Sequence, residues 1–372
     1  MKGTVVILGA TLMAAVIAST ESPSPTSSAT PSLGPAVDLQ RYLDSLAADN
    51  NLSGVVLVAK EGVTIASKAA GTANKATGAV IDLNTKFNLG SMNKMFTAVA
   101  IAQLAQAGKL AFGDSVGKHL PDYPNKEVAE KVTIHHLLTH TSGMGMYWND
   151  KFMAQREKLL TVAAHLPLFT ADPLAFTPGE KFQYSNAGYM LLGAIIEKIS
   201  GQDYYSYVRE HIYSPAGMTN TGFYEPGKEI PNLAIGYSKM SPNGQPGEEI
   251  RDNNSTREIK GGPAGGGFST APDLIKFHQA LFSYKLLDKA HTDLVTTGKV
   301  DGPRGMGRYG YGFGENNSGG KHSVGHNGGA PGIAANFEMF PESGYTAVAL
   351  MNTDPPAMMP IAKALREKIP AK

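Results

Sequence analysis

A serine hydroxyl becomes a working nucleophile only when a base lies within hydrogen-bond reach. Ser-x-x-Lys supplies both from one short segment, because residues three apart on a helix sit one turn above each other. The chain carries this spacing three times, at Ser91/Lys94, Ser115/Lys118 and Ser318/Lys321. Ser91 follows Gly90 and a short strand pattern over residues 86–89. It heads a helical run containing Met95, Phe96, Val99, Ile101 and Leu104. A helix apolar on nearly every side is buried on nearly every side. Its N-terminus offers N–H groups and a positive field to a developing oxyanion. Burial also disfavours the charged form of Lys94, pulling its pKa toward that of a base. Ser115 instead lies in Gly113-Asp114-Ser115-Val116-Gly117, ahead of Pro121 and Pro124, where no long helix forms. Ser318 lies in a Gly-rich loop. Both read as solvated turns. Residues 113–117 also match Gly-x-Ser-x-Gly, but without the strand before and the helix after that a nucleophile elbow needs.

A partner for proton transfer is sought among three Tyr-x-Asn triplets, at Tyr123, Tyr147 and Tyr184. Tyr123 is in a proline turn, and Tyr147 is in a polar loop near Gly143 with no rigid element behind it. Tyr184-Ser185-Asn186 follows the turn Thr177-Pro178-Gly179-Glu180 and opens directly into an apolar helix. His326 is in the one His-x-Gly, within Val324-Gly325-His326-Asn327-Gly328-Gly329. Small residues there let a substrate pair with a strand edge through its backbone.

Ser91/Lys94, Tyr184/Asn186 and His326/Gly328, in that order, resemble the serine β-lactamase and penicillin-binding-protein superfamily, in its class C β-lactamase-like branch. Residues 137–143 (Leu-Leu-Thr-His-Thr-Ser-Gly), 177–179, 184–189, 265–269 and 311–313 resemble it too, and the likeness runs from about Val37 to Ile369. It implies that Ser91 is acylated, that Lys94 is its base and that Tyr184 relays protons to and from the leaving group. Asn186 would orient the substrate beside His326, Asn327 and Gly328, with the N–H groups of Ser91 and Gly329 as oxyanion hole. The implied activity is hydrolysis of small carboxylic esters through an acyl-enzyme. The alternatives are D-alanyl-D-alanine carboxypeptidase or weak β-lactamase activity, and a penicillin-binding or scaffold protein without turnover. No cofactor and no metal are implied. One departure bears on the substrate: His326 stands where class C enzymes usually carry Lys. A histidine is only partly charged near neutral pH and holds a carboxylate less well, so Arg308 or Lys321 is a candidate for the missing cation. His135, His136 and His140 form a separate group. The second and third are spaced as zinc ligands are on a helix, but no Glu stands in the zincin position. The structural reading of the three is preferred.

These residues need a frame. Residues 38–48 have helical spacing, with Leu39, Tyr42, Leu43 and Leu46 on one face. Residues 54–67 read as a hairpin turning at Glu61-Gly62. The stretch from Leu110 to about Tyr284 is mostly helical pieces and loops. It includes an apolar helix over residues 187–200 stopped by Gly201, and another announced by Thr270-Ala271-Pro272-Asp273. Strand patterns return at residues 333–340 and 345–352, followed by a last helix over 358–369. The expected fold is α+β: an antiparallel sheet built from both chain ends (37–110 with 300–372), flanked by helices, with a mostly helical part (111–299) inserted.

The chain has 372 residues, of which 33 are basic and 32 acidic, for a formal charge of +1. With no basic run, nucleic acid is excluded as a partner, and a small ester, peptide or β-lactam is expected instead. There are no cysteines, so disulfides, thiolate metal sites and lipidation at cysteine are excluded. Lys2, the apolar run Val5 to Ile17 and small residues before Ser19 predict a signal peptide over 1–18 and a periplasmic or secreted protein. That run is too short to span a membrane, and no membrane contact beyond export is expected. Residues 19–36, dominated by Ser, Pro, Thr and Ala, are expected to form a flexible linker. Nothing in the sequence fixes the oligomeric state.

Overall fold

The computed structural model describes residues 34–225, 227–240, 245–303 and 307–371. The expected signal peptide and nearly all of the expected linker lie outside them. Among the described residues no helix is long and apolar enough to cross a membrane.

The first element begins slightly earlier than its apolar spacing suggests. Helix α1 spans Pro35–Ala48, with proline in its first turn, where a missing N–H costs nothing. It is followed by the hairpin of β1 (Gly54–Lys60) and β2 (Val63–Ala70). Glu61 and Gly62 both adopt positive φ, 50° and 75°, as a two-residue turn matched to strand twist requires. The other six strands of the sheet come from the end of the chain: β3 (Val300–Asp301), β4 (Arg308–Tyr309), β5 (Gly314–Ser318), β6 (Lys321–Ala330), β7 (Ile333–Phe340) and β8 (Tyr345–Met351). Their spatial order is β2-β1-β8-β7-β6-β5-β4-β3, antiparallel throughout. The N-terminal hairpin is thus joined to the C-terminal strands by the β1–β8 ladder, in which Leu57 faces Val348.

Both faces of the sheet are covered, so its central strands are apolar along their whole length. In β1, Val55, Leu57 and Ala59 point into the larger core, while Val56 and Val58 point to the opposite side. There they meet Leu39 and Leu43 of α1, and Ile361 and Leu365 of the C-terminal helix α5 (Met358–Lys368). The larger core lies between the sheet and three further helices: α2 (Lys94–Gln106), α3 (Asn186–Ser200) and α4 (Ala271–Phe282). Helix α2 is the middle of the molecule and is buried on all sides, as its composition demands. Its Phe96 meets Phe277 of α4 edge-on with ring centroids 4.9 Å apart. Helix α3 starts on a capping serine, Ser185, whose hydroxyl accepts the Gly188 N–H, and stops at Gly201 in the left-handed region. Helix α4 is capped by Thr270 in the same way. The result is an α+β fold with a large antiparallel sheet and flanking helices.

Candidate active site

The segment carrying Ser91 is held from two sides by glycine-rich backbone. Phe87–Asn88 pairs with Phe268–Ser269, and the Leu89 N–H bonds the Gly267 carbonyl at 2.7 Å. The chain then turns at Gly90, with φ of 50°, into a single 3-10 turn, Gly90–Asn93, that leads into α2. On one side the Gly266 N–H bonds the Gly90 carbonyl. On the other, β6 lies so close that a Cβ on Gly328 would fall 1.9 Å from the Leu89 carbonyl oxygen and 3.2 Å from the Ser91 nitrogen. Strand β6 pairs with β5 only as far as Gly325, so from His326 onward one backbone edge is left open, and that edge faces Ser91. Gly329 is within this stretch; a Cβ on Gly90 would lie 3.1 Å from its nitrogen.

Lys94 is completely buried. Its Nζ lies 3.3 Å from Ser91 Oγ and donates to Asn186 Oδ1 at 2.7 Å and to the Ala264 carbonyl at 2.5 Å. It also stands over the rings of Tyr184 and Tyr189, 4.7 and 5.3 Å from their centroids. Burial drives its pKa well below the ordinary lysine value, and the negative charge of Glu258 opposes that shift. Two neighbouring side chains, one from the 3-10 turn and one from α2, grip the loop that provides the Ala264 carbonyl: Asn93 donates to Gly262 O at 2.9 Å, and Thr97 to Pro263 O at 2.7 Å. Tyr204 completes this clamp, its hydroxyl 2.7 Å from Thr97 Oγ1. Sequence reasoning missed all three. The available signal was a pair of polar residues, Asn93 and Thr97, one turn apart in a run that is otherwise mostly apolar.

Tyr184 precedes the N-cap of α3. Its hydroxyl is buried, and burial pushes the phenol pKa up. The neighbouring Ser91 hydroxyl opposes the shift, although no well-formed hydrogen bond joins the two. The ring stacks on His140 with centroids 4.1 Å apart. His140, itself buried with φ of 59°, accepts the Ser185 N–H on Nδ1 at 3.0 Å. Its proton is therefore on Nε2, which donates to Tyr309 Oη at 3.2 Å. Tyr309 passes its own proton to His326 Nε2 at 2.9 Å, and His326 Nδ1 donates to the Asn327 carbonyl. Accepting on Nδ1 makes His140 neutral, and a neutral His326 completes the chain by accepting from Tyr309 on Nε2. Burial and the nearby Lys94 act the same way on His326, lowering its pKa to about 3.

This corrects three expectations. His326 is uncharged at neutral pH rather than partly charged. Arg308 does not reach it: its guanidinium is exposed and bonds the Lys299 carbonyl at 3.4 Å. Nor does Lys321, whose amine is tied to the carbonyls of Arg366 and Glu367 at 2.7 and 2.8 Å. Asn327 is exposed, its side chain alternating to the face away from His326. The loop at Tyr147 is also not the unsupported segment its composition suggests. Tyr147 is buried against Phe152, His165 and Phe169, and its hydroxyl donates to Glu258. The three clustered histidines go separate ways: His135 to Tyr311, His136 to the Thr133 N–H, and His140 to Tyr309. Lys118 pairs with Asp114 rather than with Ser115.

This fold, with a Ser-x-x-Lys serine and a Tyr-x-Asn converging on one cleft, defines a class of serine acyl-transfer hydrolases. The family described as Beta-lactamase matches residues 39–370, and the chain belongs to it. Penicillin-binding protein 4* of Bacillus subtilis (strain 168) is 30% identical over 330 residues, which is 85% of this chain and 71% of that protein. A second Bacillus relative is matched over 66% of its own length, so the chain spans about two thirds of these proteins. Among solved structures, a penicillin-binding protein from Bacillus halodurans superposes with a TM-score of 0.78 at 31% identity, covering 87% of this chain and 99% of that one. A D-stereospecific amidohydrolase from Streptomyces sp. gives 0.70 at 26% identity, covering 86% and 94%.

Proposed function

We propose that the chain is an exported serine hydrolase that cleaves small carboxylic esters or related acyl compounds through an acyl-enzyme on Ser91. The observation that carries this reading is the buried Lys94 amine, in contact with Ser91 Oγ and depressed in pKa. Neutral Lys94 takes the Ser91 proton as Oγ bonds to the substrate carbonyl carbon. The carbonyl electron pair moves onto oxygen, and the N–H groups of Ser91 and Gly329 receive the charge. Collapse of this intermediate breaks the bond to the leaving group, which takes a proton through Tyr184. Water then adds to the acyl-enzyme with the same groups running in reverse, releasing the acid and restoring Ser91. Asn186, held on Lys94 at 2.7 Å, orients the acyl side, and the open edge of Asn327-Gly328-Gly329 pairs with substrate backbone groups. Hydrolysis of p-nitrophenyl acetate tests the reading. The native protein should turn it over, Ser91→Ala should abolish turnover, and equal rates would end the proposal.

A second reading, D-alanyl-D-alanine carboxypeptidase or weak β-lactamase activity, is supported by the penicillin-binding names among the relatives. The neutral His326 weighs against it, because it offers a substrate carboxylate no charge. Covalent labelling of Ser91 by a fluorescent penicillin, with release of D-alanine from a pentapeptide stem, would favour this reading. Acylation without any deacylation would indicate a binding protein instead.

A further inference from the structure

We infer that Glu258 makes this cleft selective for acyl substrates that carry a primary ammonium group. The inference rests on the hydrolase reading above and adds the substrate class. Glu258 is half-buried on the wall of the cleft between the Tyr147-Trp148 loop and Gly266. That loop is docked against the start of α3, where the Gly145 carbonyl accepts both the Ala187 N–H and the Ser185 hydroxyl, so it flanks Asn186. One carboxylate oxygen, Oε1, accepts from Tyr147 Oη and from Trp148 Nε1, the latter at 2.9 Å. The carboxylate is thereby fixed in orientation by two neutral donors. Its other oxygen has no hydrogen bond among the described residues and lies beside Gly266, where a Cβ would come within 3.4 Å of it.

A fixed carboxylate beside a reacting centre needs a cation, and among the described residues the protein gives it none. Lys94 spends its bonds on Ser91, Asn186 and Ala264. Lys260 points elsewhere, over the Tyr205 ring at 4.0 Å and toward Glu225. Arg257 is turned back onto the carbonyls of Glu258 and Ile259. An ammonium on the substrate satisfies the free oxygen by a charge-assisted hydrogen bond and packs against the half-exposed Trp148 indole. The loop that holds Glu258 flanks Asn186, which orients the acyl side, so the ammonium belongs to the acyl part. The arrangement also has a consequence for the base. Glu258 opposes the lowering of the Lys94 pKa by burial, and an ammonium neutralises that opposition when the right substrate arrives.

The test compares alanine methyl ester with N-acetylalanine methyl ester, in both enantiomers, by titrating the acid released at pH 7. Native protein and E258Q are measured side by side, with p-nitrophenyl acetate as the neutral reference. The ratio of kcat/KM for the ammonium ester over its N-acetyl partner should fall at least about 10-fold in E258Q, in one enantiomer or both, the size expected for a lost charge-assisted bond. A ratio unchanged by the substitution overturns the inference while leaving Ser91-dependent acetate turnover, and hence the hydrolase reading, standing. If no substrate shows Ser91-dependent turnover, both fall together. Should E258Q fail to fold, the native protein decides: benzylammonium should inhibit acetate hydrolysis at concentrations at least about 10-fold below benzyl alcohol, and equal inhibition overturns the inference.

Discussion

A buried lysine serves Ser91 as a base only if its surroundings do not hold its proton on. Three neutral oxygens contact or approach the Lys94 amine, and burial outweighs the attraction of Glu258, so the neutral form is favoured. The ionisation of Lys94 should therefore be complete well below the ordinary lysine value of 10.5, and activity should follow it upward with pH. A profile of kcat/KM for p-nitrophenyl acetate should level off below pH 10.5; a rise continuing past that value would contradict the role. Lys94→Arg puts a permanent charge in its place, since arginine stays protonated, and should cost about 10²-fold or more. Tyr184→Phe should lose about 10²-fold in the same assay. Tyr309→Phe tests the relay behind the site. It removes the hydroxyl shared by His140 and His326 and leaves buried ring nitrogens unpaired, which should lower stability by about 1–3 kcal/mol in urea unfolding.

Gly328 illustrates how elements, rather than single side chains, make the cleft. Strand β6 and the 3-10 turn at Ser91 approach so closely that only hydrogen fits between Gly328 and the Leu89 carbonyl, where a methyl would lie 1.9 Å away. Gly328→Ala should push the turn and strand apart and separate the N–H groups of Ser91 and Gly329. The expected outcome is a fall in kcat of about 10²-fold, the scale of one lost oxyanion donor, together with a lower Tm. Unchanged kcat would mean that the two segments do not act together. Elements of this kind were legible where their signal was local. The β1–β2 hairpin declared itself through Glu61-Gly62, α3 through Ser185 and Gly201, and α4 through Thr270. The loop around Tyr147 was not legible. Its order comes from Glu258, Phe152 and Phe169, and no spacing in the loop itself foretells them.

Several histidines are buried uncharged, and this gives the whole molecule a defined response to acid. His326 and His278 have pKa values lowered to about 3 and about 4 in the folded state, against 6.5 unfolded. Between those values and 6.5 the unfolded chain binds more protons, so stability is full above pH 6.5 and falls as the pH drops below it. By pH 5 each of the two should have cost roughly 2 kcal/mol relative to pH 7, and His140, lowered by the same burial, adds to the effect. Thermal unfolding from pH 7.5 to 5 should show the loss, and His278→Gln, which keeps a partner for Thr346 without a titrating ring, should flatten the slope. A Tm independent of pH across that range would contradict the neutral assignment.

The sequence alone determined the parts of this protein whose physics is local. A serine one helical turn from a lysine, at the head of a helix too apolar to be anything but buried, already marks the candidate nucleophile and base. The Tyr-Ser-Asn before a capped helix places its tyrosine and asparagine, and apolar strands at the two chain ends specify a sheet that both complete. What the tertiary structure decided was charge. Whether His326 is a cation depends on Tyr309, His140 and the Lys94 amine, which arrive from three other segments. The fate of Arg308 and Lys321 depends on carbonyls of β3's flank and α5. The lone carboxylate of Glu258 matters only because Tyr147 and Trp148 fix it beside the cleft. Ionisation answers to every charge and every buried atom within several ångströms, and residues distant in the chain become neighbours only on folding.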